Sequence, residues 1–255
     1  MENHHIEQEV ILFILTKKYC KMPIMKKTSI ILCTYNEVNN IEEAINLISK
    51  TIKNVEIVVV DDSSKDGTKE KLHKLKSIFN FKLIIRKNEK GLASAMKKGF
   101  SESSGSYIGF IDVNSKDQIL HFEKLISHLD NNCDISFLSR YIDGGGDQRI
   151  FLRRSTSKLI NFICRILLRI PINDFTSGIF LMKKEVLENV NYDIKGHGEF
   201  FIELIYKAYR KKYKIIEIPY VQKQDKNLSQ SKSNPNIFYF FYLGYKYFLR
   251  LVLTI

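Results

Sequence analysis

A regular alternation of short apolar runs and amphipathic segments in the first half of the chain constrains the fold most. Runs rich in β-branched and aromatic residues predict strands at 29–33, 55–60, 82–85, 107–111 and 134–138. Segments with helical periodicity lie between them, at 38–51, 68–79, 92–101 and 119–129. Strands that alternate with helices form right-handed βαβ units. We therefore predict an α/β fold with a mostly parallel central sheet and helices on both faces.

Two polar segments follow the first two predicted strands, CTYNE at 33–37 and DDSSKDGT at 61–68. Ligands of such sheets bind beyond the carboxyl ends of the strands. A carboxylate there can accept hydrogen bonds from a nucleobase or a ribose, and we expect this of Asp62. The triplet Asp66, Gly67 and Thr68 has the composition of a turn that caps the next helix, so we expect it to be structural.

The alternation breaks after residue 140. A glycine-rich loop at 144–146, a helix near 154–168, an insert from residue 171 and a helix–strand pair over 200–218 are predicted there. Residues 1–27 lack the pattern and form a predicted N-terminal extension. We place one domain at 28–232 and a C-terminal aromatic-rich segment at 233–255.

The charge of the chain narrows the choice of partners. A formal net charge of +12 indicates an acidic partner: nucleic acid, an anionic membrane or a phosphorylated substrate. No nucleic-acid-binding module is recognisable, so we expect no nucleic acid. The usual dehydrogenase fingerprint is excluded too, because 33–37 contains no glycine.

The cysteines and the lengths of the apolar runs indicate the cellular compartment of the protein. Cys20, Cys33, Cys133 and Cys164 are far apart and have no partner at metal-ligand spacing, which is typical of buried thiols in a reducing compartment. No signal peptide is evident, and no apolar run reaches the ~20 residues that span a bilayer. These features predict a cytoplasmic protein, peripheral on a membrane if it binds one.

Three motifs in this order carry a resemblance to a known family: TYNE at 34–37, DDSSKDGT at 61–68 and GLASA at 91–95. Over residues 28–232 the chain resembles family 2 glycosyltransferases of the dolichyl-phosphate mannose synthase type. The resemblance implies a GT-A (Rossmann-like) fold. It also implies transfer of a hexose, from GDP-mannose or UDP-glucose, to polyprenyl or dolichyl phosphate. The alternative is a nonenzymatic binding protein for a sugar nucleotide or lipid phosphate, derived from the same fold.

The resemblance also implies a donor site. Tyr35, Glu37 and Asp62 would border the base and the ribose, with Cys33 standing where the family usually has proline. The predicted nucleotide-sugar-binding residues are Cys33, Tyr35, Glu37, Asp61, Asp62, Val113, Asn114 and Lys116.

The segment Asp112-Val113-Asn114 occupies the position of the family's D-x-D motif, which holds a divalent cation on the diphosphate. The implied cofactor is Mg²⁺ or Mn²⁺, with Asp112 and Asn114 as ligands. An amide in place of a carboxylate removes a negative charge, and Lys116 follows two residues later. We therefore expect weakened metal dependence. Either Lys116 supplies part of the cation's charge, or it points to solvent and Asp112, helped by Asp117, still holds the metal.

For the acceptor, the family's segments match at Arg140 and at Arg153 to Ser157. Guanidinium forks bind phosphate oxygens bidentately, so the implied catalytic residues are Asp112, Arg140, Arg153 and Ser157. The acceptor phosphate is already anionic, so no general base is required. Residues 174–178 and 231–232 also resemble family segments, and Phe200 and Glu203 match F-x-x-E with one residue inserted after Gly196.

The C-terminal segment is predicted to be an amphipathic helix. Tyr242, Lys246, Arg250 and Thr254 would form a polar stripe surrounded by apolar residues. In a spanning helix, Lys246 and Arg250 would each cost about 2.5–3.5 kcal/mol near the bilayer centre. We expect this helix on the cytosolic face of a membrane or against a small membrane-protein subunit. The alternative is a helix packed on the protein's own core.

Overall fold

The computed structural model describes residues 26–194, 196, 198–224 and 237–254. The strands are β1 (Thr28–Thr34), β2 (Val55–Asp61), β3 (Phe81–Ile85), β4 (Tyr107–Phe110), β5 (Ile135–Ser139), β6 (Gly146–Asp147), β7 (Phe180–Lys183), β8 (Ile215–Pro219) and β9 (Val221–Gln222). The helices are α1 (Ile41–Thr51), α2 (Thr68–Leu75), α3 (Leu92–Ser101), α4 (Lys116–Ile119), α5 (Phe122–Asp130), α6 (Phe151–Leu168), α7 (Lys184–Asn189), α8 (Phe200–Arg210) and α9 (Ile237–Thr254).

Seven strands form the central sheet in the order β3-β2-β1-β4-β7-β5-β8. All neighbouring pairs are parallel except those of β7, which runs antiparallel to both β4 and β5. β6 and β9 pair in a separate two-stranded parallel sheet. The predicted mostly parallel sheet is confirmed. Because β7 reverses direction and its neighbours do not, the carboxyl ends of the other six strands share one edge.

Side chains of β1 show how the sheet builds its core. Ile31 and Cys33 pack on one face with residues of α3, α6, α8 and α9. Ile30 and Leu32 pack on the other face with residues of α1, α2 and α5. Since successive side chains of a strand point to opposite faces, a fully apolar strand requires helices on both sides. That layered arrangement is the one predicted.

Several predicted element boundaries need correction, and α6 begins at Phe151 rather than near residue 154. The first helix begins at Ile41 rather than residue 38, because the Glu37 carbonyl accepts hydrogen bonds from the backbone N–H groups of Asn40 and Ile41 in a preceding turn. The second helix ends at Leu75, and the helix predicted at 119–129 is divided into α4 and α5. Strand β7 and the small sheet were not predicted.

The described cysteines Cys33, Cys133 and Cys164 are buried, as predicted. Cys20 and nearly all of the N-terminal extension lie outside the described residues, as do residues 225–236. Within the described ranges, no helix is both long and apolar enough to cross a bilayer.

A glycine in β4 permits the contact with the antiparallel strand. A Cβ on Gly109 would lie 2.6 Å from the Phe180 carbonyl oxygen and 2.7 Å from Leu181 Cδ1. Gly109→Ala should therefore lower the free energy of unfolding by about 1–3 kcal/mol, measured by urea denaturation. Gly178→Ala is the control, because a Cβ there meets no atom within 4 Å. Equal stability of the two variants would contradict the close approach.

Candidate functional site

The loops that follow β1 and β2 are joined by hydrogen bonds at the carboxyl edge of the sheet. The Asn36 N–H donates to Ser64 Oγ at 2.9 Å, and the Lys65 N–H donates to Asn36 Oδ1 at 2.9 Å. The Glu37 N–H donates to Thr68 Oγ1 at 2.9 Å. The two polar segments of the sequence therefore form one surface.

The triplet at 66–68 has the structural role predicted for it. Asp66 Oδ1 accepts hydrogen bonds from the Thr68 N–H at 3.0 Å and the Thr68 hydroxyl at 2.6 Å. Gly67 has a φ of 94°, in the left-handed region that favours glycine. This turn starts α2 and fixes the loop that leads into it.

Asp62 is paired with a buried arginine. Asp61 and Ile85 are partners in the β2–β3 register, so Asp62 and Arg86 leave adjacent strands side by side. Arg86 Nε donates to Asp62 Oδ1 at 2.7 Å, and the Gly91 N–H donates to Asp62 Oδ2 at 2.8 Å. Arg86 Nη2 also lies 2.5 Å from Asp62 Oδ1, so the guanidinium engages that oxygen twice. Asp62 therefore fixes the start of α3, and Oδ2 is the oxygen that keeps a lone pair for a ligand.

Arg86 was not predicted as a site residue. It also donates to Ser94 Oγ at 2.8 Å and to the Gly91 carbonyl at 3.0 Å, and only 7% of it is exposed. The signal in the sequence was a single arginine directly after the third predicted strand. Parallel pairing of that strand with the second places this arginine beside Asp62.

Three residues of the predicted donor site have side chains that face the core. Asp61 is fully buried, and its carboxylate accepts from the Ser64 N–H at 3.0 Å and the Ser64 hydroxyl at 2.5 Å. Cys33 and Val113 belong to the two core clusters. The side chains of these three residues therefore support the edge of the sheet from inside, and their predicted part in nucleotide binding stays a prediction.

Tyr35, Glu37 and Asn114 do lie at the edge. Asn114 Nδ2 donates to Glu37 Oε1 at 3.0 Å, which links the loop after β4 to the loop after β1. Tyr35 is partly buried, with the Lys90 ammonium 5.2 Å from its ring centroid. The structure thus brings these predicted donor residues together.

The altered metal motif places two oxygen-bearing side chains together. Asp112 is exposed after β4, and its Oδ1 accepts a hydrogen bond from the Asn114 N–H at 3.0 Å. Since Asn114 donates its amide nitrogen to Glu37, its carbonyl oxygen is the atom that suits a cation. No group of three or more His, Cys, Asp or Glu side chains that could hold a metal occurs in the part of the chain that the structure describes.

Lys116 and Asp117 have partners away from the Asp112 carboxylate. The Lys116 ammonium forms an ion pair with Glu43 of α1. The Asp117 carboxylate pairs with Lys223 at 2.9 Å. Neither side chain is placed as a ready substitute for a metal ion or as a second metal ligand.

Arg140, at the end of β5, forms a buried ion pair. Its Nε and Nη2 each donate to one carboxylate oxygen of Asp174 at 2.7 Å. It also donates to Thr176 Oγ1 at 2.6 Å and to Gln222 Oε1 at 3.2 Å. Burial opposes ionisation of Asp174, but Arg140 outweighs it and lowers the pKa of that carboxyl. Arg140 also lines the cavity described below, and its predicted role in binding the acceptor phosphate stays a prediction.

Asp147 connects the loop after β5 to α6. Arg149 donates from Nε and Nη2 to its two oxygens, at 2.9 Å and 2.6 Å, and the Tyr141 hydroxyl donates at 2.9 Å. Burial raises the pKa of Asp147, but the hydrogen bonds and charge of Arg149 prevail and lower it to about 2. Arg149 Nη2 also donates to Ser157 Oγ at 2.9 Å, so Ser157 belongs to this network.

A cavity of about 490 Å³ lies between α6 and the residues that follow β5, including Arg140 and Asp147. Its cationic lining on α6 comes from Arg154, Lys158 and Arg165. The predicted acceptor residue Arg153 is not among the residues that line the cavity, whereas its neighbour Arg154 is. The remaining lining residues are Arg140, Tyr141, Gly145, Gly146, Asp147, Asn161, Phe162 and Asn173.

Two helices expose large apolar side chains, and one of these side chains, Phe162 of α6, lines the cavity. We call these the α6 apolar face (Phe151, Leu152, Leu159, Phe162, Ile166 and Leu167) and the α9 apolar face (Tyr242, Tyr245, Phe248, Leu249, Val252 and Leu253). On α9, Arg250 faces inward and pairs with Glu203 at 3.0 Å, and Leu251 is buried. The predicted polar stripe therefore turns partly toward the protein, while apolar side chains face outward.

The sequence of this chain is similar to those of known glycosyl transferases. The family model described as Glycosyl transferase family 2 matches residues 29–190. A dolichol-phosphate mannosyltransferase from Pyrococcus furiosus is 39% identical over 199 residues, which are 76% of this chain and 56% of that protein. A polyprenol monophosphomannose synthase from Mycolicibacterium smegmatis is 29% identical, over 76% of both chains. This chain thus spans little more than half of the Pyrococcus protein.

Solved structures show the same fold at low sequence identity. A Mycobacterium tuberculosis glucosyl-3-phosphoglycerate synthase, in complex with Mn²⁺, UDP and its product, superposes with a TM-score of 0.69 at 16% identity. The match covers 90% of this chain and 80% of that one. The same enzyme is known with Mg²⁺ and UDP. The shared GT-A fold, the family match over most of the sheet and the 39% identical relative show that this chain belongs to glycosyl transferase family 2.

Proposed function

We propose that this protein transfers a hexose from a nucleoside-diphosphate sugar to a polyprenyl or dolichyl phosphate. The observation that carries the proposal is the cationic cavity beside the α6 apolar face, at the same sheet edge as the donor loops. A phosphate fits the cations and a polyprenyl chain fits the apolar side chains. The names of the relatives from Pyrococcus and Mycolicibacterium agree with this acceptor and favour mannose as the sugar.

The donor is assigned to the loops after β1, β2 and β4. Tyr35 offers a ring for a base, and Glu37 and Asp62 offer carboxylate oxygens for base or ribose hydrogens. Asp62 and Glu37 are held by Arg86 and Asn114, so their oxygens are positioned before a ligand arrives. GDP-mannose and UDP-glucose remain the two candidate donors.

A divalent cation fits the loop after β4 in part. Asp112 and Asn114 would hold Mg²⁺ or Mn²⁺ with two hard oxygens, and the substrate diphosphate would supply others. When bound, the cation neutralises charge on the leaving nucleoside diphosphate. Lys116 is held by Glu43 in a pair that is partly exposed, and such pairs contribute about 0–1 kcal/mol. We therefore favour a weakly held metal over replacement of the metal by Lys116.

The reaction needs positioning rather than a base from the protein. An anionic oxygen of the acceptor phosphate attacks the anomeric carbon, forming the new carbon–oxygen bond while the bond to the nucleoside diphosphate breaks. Arg154 and Lys158 would hold the acceptor phosphate in the cavity. Arg140, buried on Asp174, and Ser157, bound by Arg149, keep the walls of that cavity in place.

Peripheral binding to the cytosolic face of a membrane completes the proposal. The α6 and α9 apolar faces would enter the interface, and the basic residues of α6 would meet lipid phosphates. We assign membrane contact to residues 237–254 of the predicted segment 233–255, and a small membrane-protein subunit could cover the α9 apolar face instead.

Transfer itself is the first test. The protein is incubated with labelled GDP-mannose or UDP-glucose and a short polyprenyl phosphate, and labelled lipid is extracted. We expect product with one donor, none with the matching polyprenol, and loss in excess EDTA that Mg²⁺ or Mn²⁺ reverses. Lys116→Ala should stay active. Nucleotide-sugar binding without transfer under any metal condition would favour the nonenzymatic alternative.

The acceptor assignment is tested by variants of neighbouring residues. Arg154→Ala and Lys158→Ala should each lower kcat/KM for the lipid phosphate about tenfold or more, because a charge-assisted hydrogen bond contributes about 1.5–3 kcal/mol. Arg153→Ala is the comparison variant, and donor affinity, measured by calorimetry, should stay near normal in all three. A loss of kcat/KM confined to Arg153→Ala would instead assign phosphate binding to Arg153, as the sequence predicts.

Membrane contact is tested on α9. The double variant Phe248→Asp/Leu253→Asp should bind anionic phospholipid vesicles at least about tenfold more weakly, because carboxylates resist burial in the interface. Ile78→Asp is the control, since Ile78 is 69% exposed on another part of the surface. Equal vesicle binding by both variants would exclude α9 from the interface. Resistance of the wild-type protein to alkaline carbonate extraction would contradict peripheral binding.

A further inference from the structure

The inward side of α9 contacts the segment that precedes α8. Arg250 Nη1 lies 3.0 Å from Glu203 Oε2, and Arg250 Nη2 donates to the Asp193 carbonyl at 2.5 Å. Glu203 also pairs with Lys207 at 2.6 Å, so its second oxygen is occupied. One guanidinium thus joins α9 to α8 and to the chain ahead of α8.

Tyr247, one turn earlier on α9, contacts the same segment. A Cβ on Gly198 would lie 2.9 Å from the Tyr247 hydroxyl, so the tyrosine packs directly against that glycine. Burial raises the pKa of Tyr247, and the Glu199 carboxylate raises it further. Leu251, also on α9, belongs to the same core cluster as Cys164 and Leu168 of α6, so α9 packs with the helix that lines the cavity.

The segment contacts the donor half as well. The Ala93 N–H donates to the Gly196 carbonyl at 3.4 Å, and Ala93 lies in the first turn of α3. That turn follows Gly91, whose N–H is bound by Asp62. A continuous set of contacts therefore runs from α9 through residues on either side of α8's start to the loop that holds Asp62.

We propose that α9 supports from behind the helix α6 that lines the acceptor cavity, and that Arg250 is a positioning residue for the acceptor because it fixes α9 on α8, in addition to any contact of the outer face of α9 with a membrane. This inference rests on the proposed transfer reaction. Arg250 touches neither substrate, and it acts by fixing Glu203 and the Asp193 carbonyl. The consequence is that catalysis depends on α9 even when no membrane is present.

The test separates positioning from membrane binding. Full-length wild type, Arg250→Ala and Lys246→Ala are assayed with a short polyprenyl phosphate in detergent and, separately, for binding to anionic vesicles. Lys246 is the matched control, because it is a cation of the same stripe whose ammonium lies over the Tyr242 ring at 4.9 Å. Arg250→Ala should lower kcat with the short acceptor at least about tenfold, since small misplacements cost up to about a hundredfold.

The accompanying readouts distinguish the outcomes. Arg250→Ala should keep wild-type donor affinity and vesicle binding, whereas Lys246→Ala should keep kcat. Arg250→Lys, which retains the charge against Glu203 but not the fork, should fold and show a smaller loss of kcat. Unchanged kcat in both Arg250 variants, or loss of vesicle binding without loss of kcat, would overturn the inference. A wild-type protein that transfers to no polyprenyl phosphate would instead overturn the proposed function, and the inference with it.

Discussion

The buried pair of Arg140 and Asp174 organises the half of the molecule that follows β5. Asp174 accepts both arms of the guanidinium and the Arg140 backbone N–H, the last at 3.0 Å. Asn161 of α6 joins the pair through Thr176 at 3.1 Å, and Gln222 joins it from β9. Removal of one member of such a pair leaves an uncompensated buried charge and lowers the free energy of unfolding by about 3–5 kcal/mol. The insert, α6 and the small sheet are thus held by one fully desolvated interaction.

The donor half has a comparable arrangement. Asp62 and Arg86 follow neighbouring parallel strands, and the arginine reaches the loop that begins α3. Each half of the site therefore has a buried arginine and aspartate at strand ends, and each pair fixes a loop. Tyr35 and Lys158, which we propose as ligand-binding residues, lie on backbone that these pairs help to hold in place.

The local sequence pattern was enough to predict the strands and helices that have the same surroundings along their whole length. β1 and β2 have continuous apolar runs, Ile30–Cys33 and Ile57–Val60, because both faces of the sheet are covered, and α3 has the predicted bounds Leu92–Ser101. The loops proposed to bind the donor could be located because they follow these strands. The local sequence pattern could not predict contacts between residues that are far apart in the sequence. Asp174 is 34 residues from Arg140, and nothing in the sequence around Arg140 indicates that its side chain is buried. Spacing along α6 likewise could not show whether Arg153 or Arg154 faces the cavity, because adjacent helical residues differ by about 100° in direction.

The antiparallel strand β7 has a further consequence. It lies between β4, which ends beside Asp112, and β5, which ends at Arg140. Neighbouring strands are about 4.8 Å apart, so the two strand ends are held about 10 Å apart by backbone hydrogen bonds alone. The pairing of β7 with both neighbours thus sets the distance between the two strand ends. Substitutions in the loops can therefore change which groups are bound at either strand end without changing that distance.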